Sequence, residues 1–124
     1  MKILIVEDEE IMLKALVDRF TSEKFEVISA KDGEEGLKLA LIERPNLILL
    51  DIILQKMDGM TMMQRLRRTN SWGESVPIIL LTNLNADDKI MKGITEDKPA
   101  YYLIKTQWTL DDVVEKVKER LARP

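Results

Sequence analysis

Apolar residues gather in five short runs along the chain, and the stretches between them change to a helical period. The runs predict strands near residues 2–6, 25–29, 47–51, 76–82 and 100–104, since unbroken Ile, Leu and Val runs suit strands covered on both faces. Leu13, Leu16, Val17 and Phe20 fall at i, i+3, i+4 and i+7, which predicts a helix over 9–22 with one buried stripe. Asp32 with Glu35 has the form of a capping box for a second helix running to about Leu41 and ended by Arg44-Pro45. Asp58 can cap a third, with Met60, Met63 and Leu66 inward, and Asn85 with Asp88 a fourth. Thr109 with Asp112 opens a fifth, whose Leu110, Val113, Val114, Val117 and Leu121 make the clearest amphipathic stripe. Gly93 and Pro99 bracket a polar stretch without periodicity, so the fourth helix is expected to be short and 93–100 to be a loop. Strands alternating with helices predict β-α-β units and a parallel sheet with helices on both faces, in one domain over 1–124.

Composition narrows the chemistry. At 124 residues the chain can bury roughly two-thirds of its unfolded surface without disulfides. It has no cysteine and no histidine, which removes a thiol nucleophile, a histidine base and a histidine metal ligand. Phosphohistidine chemistry can reach it only from a partner. With 22 acidic and 19 basic residues, a net charge of −3, it carries no electrostatic footprint for direct nucleic-acid binding. No apolar run approaches the roughly 18 residues of a membrane span, and the expectation is a soluble, cytoplasmic domain.

Polar residues follow four of the apolar runs: Glu7 and Asp8 the first, Asp51 the third, Thr82 the fourth and Lys105 the fifth. In one parallel sheet these would all emerge at the carboxyl edge, where open α/β sheets bind ligands. Three carboxylates in one crevice repel one another, and Mg²⁺, which takes oxygen ligands, would relieve that. An alternative makes Asp8 a cap of the first helix and Glu7 its solvated neighbour. Asp51 argues for the site, because a carboxylate ending an apolar strand is costly unless it is used or paired. It can serve as a nucleophile and form an aspartyl phosphate, with Lys105 and Thr82 suited to the charged phosphoryl oxygens.

The motifs Lys-Ile-Leu-Ile-Val-Glu-Asp-Glu at 2–9, Pro-Asn-Leu-Ile-Leu-Leu-Asp at 45–51, Met-Asp-Gly at 57–59, Pro-Ile-Ile-Leu-Leu-Thr at 77–82 and Tyr-Leu-Ile-Lys at 102–105 span nearly the whole chain. In that order they resemble the receiver domain of two-component response regulators. The resemblance implies a flavodoxin-like (βα)5 doubly wound sheet of five parallel strands in the order 2-1-3-4-5. It implies Asp51 as phosphoacceptor from a sensor histidine kinase or phosphotransfer protein, and Mg²⁺ held by Asp8, Asp51 and the Ile53 carbonyl, with Glu7 acting mostly through water. Thr82 and Lys105 would hold phosphoryl oxygens. Tyr102 would follow Thr82 and relay the change to the surface of the fourth helix, fifth strand and fifth helix. Implied partners are the kinase and an output domain or effector protein, with a monomer or a phosphorylation-linked dimer. A signalling phosphoacceptor is expected rather than an enzyme acting on a separate substrate.

Four positions depart from the family pattern. Thr106 follows Lys105 where the family has a proline with a cis bond, and since cis before a non-proline costs about 3–4 kcal/mol, a trans bond is expected. Gln55, Asn83 and the lead Asp97-Lys98-Pro99-Ala100 also differ. A degenerate pseudo-receiver, docking partners without phosphorylation, is the alternative reading. Phosphohydrolases of the aspartyl type would want an acid where Ile53 stands, and a dinucleotide fold would want a glycine fingerprint. Met57, Met60, Met62 and Met63 suit either gap-filling or a changeable surface, and Trp72 either a contact anchor in an exposed turn or packing over the sheet edge.

Overall fold

In a computed structural model that describes residues 1–83 and 87–123, the five expected strands form one parallel sheet in the order 2-1-3-4-5. They are β1 (Lys2–Val6), β2 (Glu26–Ala30), β3 (Leu47–Leu50), β4 (Ile78–Thr82) and β5 (Tyr101–Ile104). The flavodoxin-like, doubly wound arrangement implied by the resemblance is thus the one found. Side chains alternate between two cores, as a period of two demands. Ile3, Ile5, Leu47, Leu49, Ile79, Leu81 and Leu103 face α1 (Glu10–Ser22) and α6 (Leu110–Leu121). Leu4, Val6, Ile48, Leu50, Ile78 and Leu80 face α2 (Gly33–Glu43), α3 (Gly59–Arg67), α4 (Ser71–Ser75) and α5 (Asp88–Asp97). Among the described residues, no helix is long and apolar enough to cross a membrane.

The caps explain where the helices begin. Asp32 accepts from the Glu35 amide, Asp58 from that of Thr61, and Thr109 with Asp112 forms a complete capping box. Asn85, the expected cap of the fourth helix, lies outside the described residues, and Asp87 caps α5 by accepting from the Ile90 amide.

Two expectations are corrected and, at Met62, the gap-filling alternative is the one found. Residues 71–75 are helical rather than a turn, and Trp72 packs half-buried against the core with Arg44 5.9 Å from its ring centroid. Met62 joins Met63 and Leu66 in the core, fully buried. Most informatively, the helix after β4 does not stop near Gly93. It continues to Asp97 and ends on Lys98 in the left-handed region at φ 47°, with the Lys98 amide bonded to the Ile94 carbonyl and Pro99 next. Its inward positions are Ile90, Ile94 and Asp97, at i, i+4 and i+7. A carboxylate in the third slot hid the period. Because of α4, the fourth and fifth helices of the sequence reading are α5 and α6 here.

Arg67 ties these last elements together. Its guanidinium donates to the carbonyls of Asp97 at 2.7 Å, Val76 at 2.7 Å, Gly73 at 2.9 Å and Lys98 at 3.3 Å, joining the end of α3 to α4, to the entry of β4 and to the end of α5. Gly73 is required there, since an added Cβ would lie 2.1 Å from the Leu66 carbonyl oxygen.

Candidate functional site

Strand register brings the acids and the lysine together. Val6 pairs with Leu50, Leu50 with Leu80, and Thr82 with Ile104, so Glu7, Asp51 and Lys105 each step off a strand end at the same edge where β4 finishes on Thr82. The ladder holds to the last residue, with the Asp51 amide on the Val6 carbonyl at 3.0 Å and the Glu7 amide on the Ala30 carbonyl at 3.1 Å. After Asp51 the chain turns sharply. Lys56 has φ 65°, the Met57 amide bonds the Gln55 carbonyl at 2.7 Å, and the Gly59 amide returns to the Ile52 carbonyl at 2.8 Å. That return brings the start of α3 so close that a Cβ on Gly59 would sit 2.1 Å from the Asp51 carbonyl oxygen.

The ammonium of Lys105 lies between two hidden acids. It donates to both Glu7 oxygens at 2.9 and 2.8 Å and to Asp51 Oδ2 at 2.9 Å, while Asp51 Oδ1 accepts from the Ile53 amide at 3.3 Å. The three side chains are 8, 3 and 7 % exposed. Burial pushes the Glu7 carboxyl up to about 7, and the Asp51 charge adds to the rise while Lys105 opposes it. Burial alone would lower the Lys105 ammonium, but its hydrogen bonds to Glu7 and Asp51 outweigh that and raise it. Two acids against one ammonium leave a net negative cluster. Glu7, Asp8 and Asp51 each offer a carboxylate oxygen within 4.8 Å of the others, a donor set that fits one hard divalent cation.

This answers the alternative left open for the first pair. Glu9 is the N-cap residue of α1 and makes no side-chain cap, so Asp8 does not serve as one, and Glu7 is a buried partner of Lys105 rather than a solvated neighbour. The direct bond between Glu7 and Lys105 was not visible in the sequence, which suggested a role through water. The Lys105–Thr106 bond is trans, as the missing proline predicts, and residues 105–107 form a 3-10 turn that still delivers the ammonium to Asp51.

Thr82 is fully buried and lies on the same sheet face as Leu80, whose register partner on β5 is Tyr102. Thr82 and Tyr102 are therefore diagonal neighbours across the last pair of strands. Tyr102 is partly covered, and its hydroxyl titrates above the ordinary range through burial and through the charges of Asp87 and Asp51. Ile53, whose carbonyl was expected to join the cation, follows directly in the turn with its side chain 56 % exposed.

Comparison with known proteins agrees with the geometry. The family model described as the response regulator receiver domain matches residues 3–118. The transcriptional regulatory protein AfsQ1 of Streptomyces coelicolor is 37 % identical over 99 residues, 80 % of this chain and 42 % of that protein. The alkaline phosphatase synthesis transcriptional regulatory protein PhoP of Bacillus subtilis is 40 % identical over 91 residues, covering 73 % of this chain and 37 % of its own length. The chain thus spans about two-fifths of the length of these curated relatives. Among solved structures, the BeF3-activated N-terminal receiver domain of Klebsiella pneumoniae RstA is similar at 27 % identity with a TM-score of 0.85, over 99 % of this chain and 100 % of that one. A CheY-like receiver domain protein of Methanospirillum hungatei reaches a TM-score of 0.87 at 27 % identity, covering 98 % of this chain and 93 % of that one.

Proposed function

Since the chain belongs to the response regulator receiver domain family, a family of signalling domains, we propose that it is a phosphoacceptor whose nucleophile is Asp51. The observation that carries this reading is the meeting of Asp51 with Glu7, Asp8 and the Lys105 ammonium at one sheet edge. An Asp51 carboxylate oxygen attacks the phosphorus of a phosphohistidine on a sensor kinase or phosphotransfer protein. The O–P bond forms as the N–P bond breaks, and the donor histidine leaves as the imidazole. Glu7, Asp8, Asp51 and the Ile53 carbonyl would hold Mg²⁺, which supplies neutralising charge to the transferring group.

The chain's own groups do the rest. Lys105, already 2.9 Å from Asp51, offers its ammonium to a phosphoryl oxygen, and the Thr82 hydroxyl at the end of the neighbouring strand offers a donor to another. Drawing Thr82 toward the phosphoryl group opens space on the face it shares with Tyr102. The surface of α5, β5 and α6 then carries the signal to an output domain or effector, as a local charge change read by a two-state element. Attack of water on the phosphorus then breaks the bond to the Asp51 oxygen, releasing inorganic phosphate and restoring the carboxylate.

Incubation with acetyl phosphate is the test. One phosphoryl mass should appear with Mg²⁺, and none with chelator or in Asp51→Asn. Labelling that persists in Asp51→Asn sinks the assignment, and no labelling of the wild type leaves a phosphorylation-independent docking module in its place. Beryllofluoride should then change hydrogen exchange across α5 and β5 but little in α2, and Thr82→Ala should bind the mimic without that remote change.

A further inference from the structure

Asp97 is a third buried carboxylate, remote from the acid cluster. It closes α5 with only 5 % of its surface exposed, and among the described residues no hydrogen-bond donor or ion-pair partner reaches its side chain. The charged groups that face it are Arg68, Glu96 and Arg67. Arg67 is committed to four backbone carbonyls, that of Asp97 among them, Arg68 is exposed, and Glu96 repels. Burial prevails over the two arginines and holds the Asp97 carboxyl above its ordinary range. A carboxylate in the last turn of a helix also opposes the helix dipole.

Asp97 lines a groove of about 440 Å³ between α3 and α5. Half-buried Met60 and Gly93 make its apolar part, with only the edges of Ile52 and Ile90, which otherwise belong to the core, reaching it. At one end stand Asp58 and Asp87, the capping residues of the two helices, and at the other Glu96 and Asp97. Four carboxylates thus face one lining lysine, Lys92, which is paired with Glu96 at 4.0 Å in an exposed and therefore weak contact. Both helices follow parallel strands and run the same way, so the groove extends about 15 Å along α5, at 1.5 Å per residue.

We propose that this groove is a docking site for a basic amphipathic helix of a partner protein, whose apolar side chains pack on Met60 and Gly93 and whose lysine or arginine pairs with Asp97. Charge complementarity demands cations at both ends and an apolar middle, and a helix with basic residues at i and i+11 around apolar i+4 and i+7, all on one face, supplies that spacing. A linear polyamine matches the charges, but its thin chain would leave Met60 uncovered. The helix is the better fit.

The probe is a synthetic alanine-based peptide of about four helical turns, with lysines at i and i+11 and leucines at i+4 and i+7. Titrated into the ¹⁵N-labelled chain, it should give saturable shifts confined to residue 52 and residues 58–64 and 87–97. Replacing its leucines by serine or its lysines by glutamate should abolish them, and spermidine should not reproduce them. Asp97→Asn should weaken the peptide about tenfold, a typical cost of removing one partner of a covered charge pair, while leaving the unfolding midpoint unchanged or raised. Gly93→Met, which puts a side chain into the groove, should block the peptide and leave Mg²⁺-dependent labelling of Asp51 intact. Absent or unsaturable binding, shifts outside the groove, preference for spermidine, equal binding by Asp97→Asn, or a lowered midpoint in that variant would each overturn the proposal.

Discussion

Asp51 and Asp97 are hidden to nearly the same degree, 6 and 5 % exposed, yet their surroundings are opposite. Asp51 stands at the end of a central strand with an ammonium at 2.9 Å and a backbone amide on its other oxygen. Asp97 stands at the end of a helix with its side chain unbonded, beside an arginine that serves backbone carbonyls instead. Burial alone therefore does not identify a reactive acid. What separates the two is how each charge is balanced: at Asp51 by a direct ammonium contact, at Asp97, among the described residues, only by arginines that make no contact with its carboxylate. The first arrangement suits an internal site that exchanges one cation for another, and the second a surface waiting for a charge from outside.

The largest effect should come from removing the internal cation. Lys105→Met leaves Glu7 and Asp51 covered and unpaired, which should cost roughly 3 kcal/mol of folding stability in urea titrations with chelator. Added Mg²⁺ should recover part of that loss, and an unchanged midpoint would mean the acids do not hold the ion.

Gly59→Ala comes next. Its Cβ would meet the Asp51 carbonyl oxygen at 2.1 Å, an overlap with backbone that no rotamer relieves, so about 2 kcal/mol should be lost and labelling of Asp51 slowed.

A smaller, pH-dependent effect should distinguish Asp97. Because burial holds its carboxyl above the ordinary range, the folded chain keeps this proton at pH values where the unfolded chain has lost it. Wild-type stability relative to Asp97→Asn should fall as pH rises from the ordinary carboxylate range through the raised pKa, then level off. Wild-type stability that instead rises with pH relative to Asp97→Asn would mean that a cation inside the chain does pair with Asp97. Smallest is Gly93→Ala, where the added Cβ would meet only the flexible Met60 Cε, at 2.3 Å. Thermal unfolding should show a gain of about 0.5 kcal/mol from helix propensity, opposite in sign to Gly59→Ala.

Strand positions, the caps at Asp32, Asp58 and Thr109, and the gathering of Glu7, Asp8, Asp51, Thr82 and Lys105 at one edge were all legible in the sequence. Each follows from local rules: unbroken apolar runs, a capping residue three before its partner, and the common direction that parallel strands impose. The resemblance supplied the strand order, which no single segment encodes. The misreadings occurred where a residue's role depends on distant neighbours. Asp97 broke the apolar period of α5 because a polar letter does not announce that it occupies a covered slot. Likewise Asn70-Ser71-Trp72-Gly73 read as a turn because the carbonyls that Arg67 gathers, from Gly73, Val76, Asp97 and Lys98, are contributed by three separate elements. The sequence by itself thus determined which groups reach the edge and in what chemical kind. Only the tertiary structure decided that Lys105 would be shared by Glu7 and Asp51, and that Asp97 would be left unpaired. Charge balance in a covered site depends on distances of a few ångströms between strands and helices far apart in the chain, and those distances exist only once the two cores have packed.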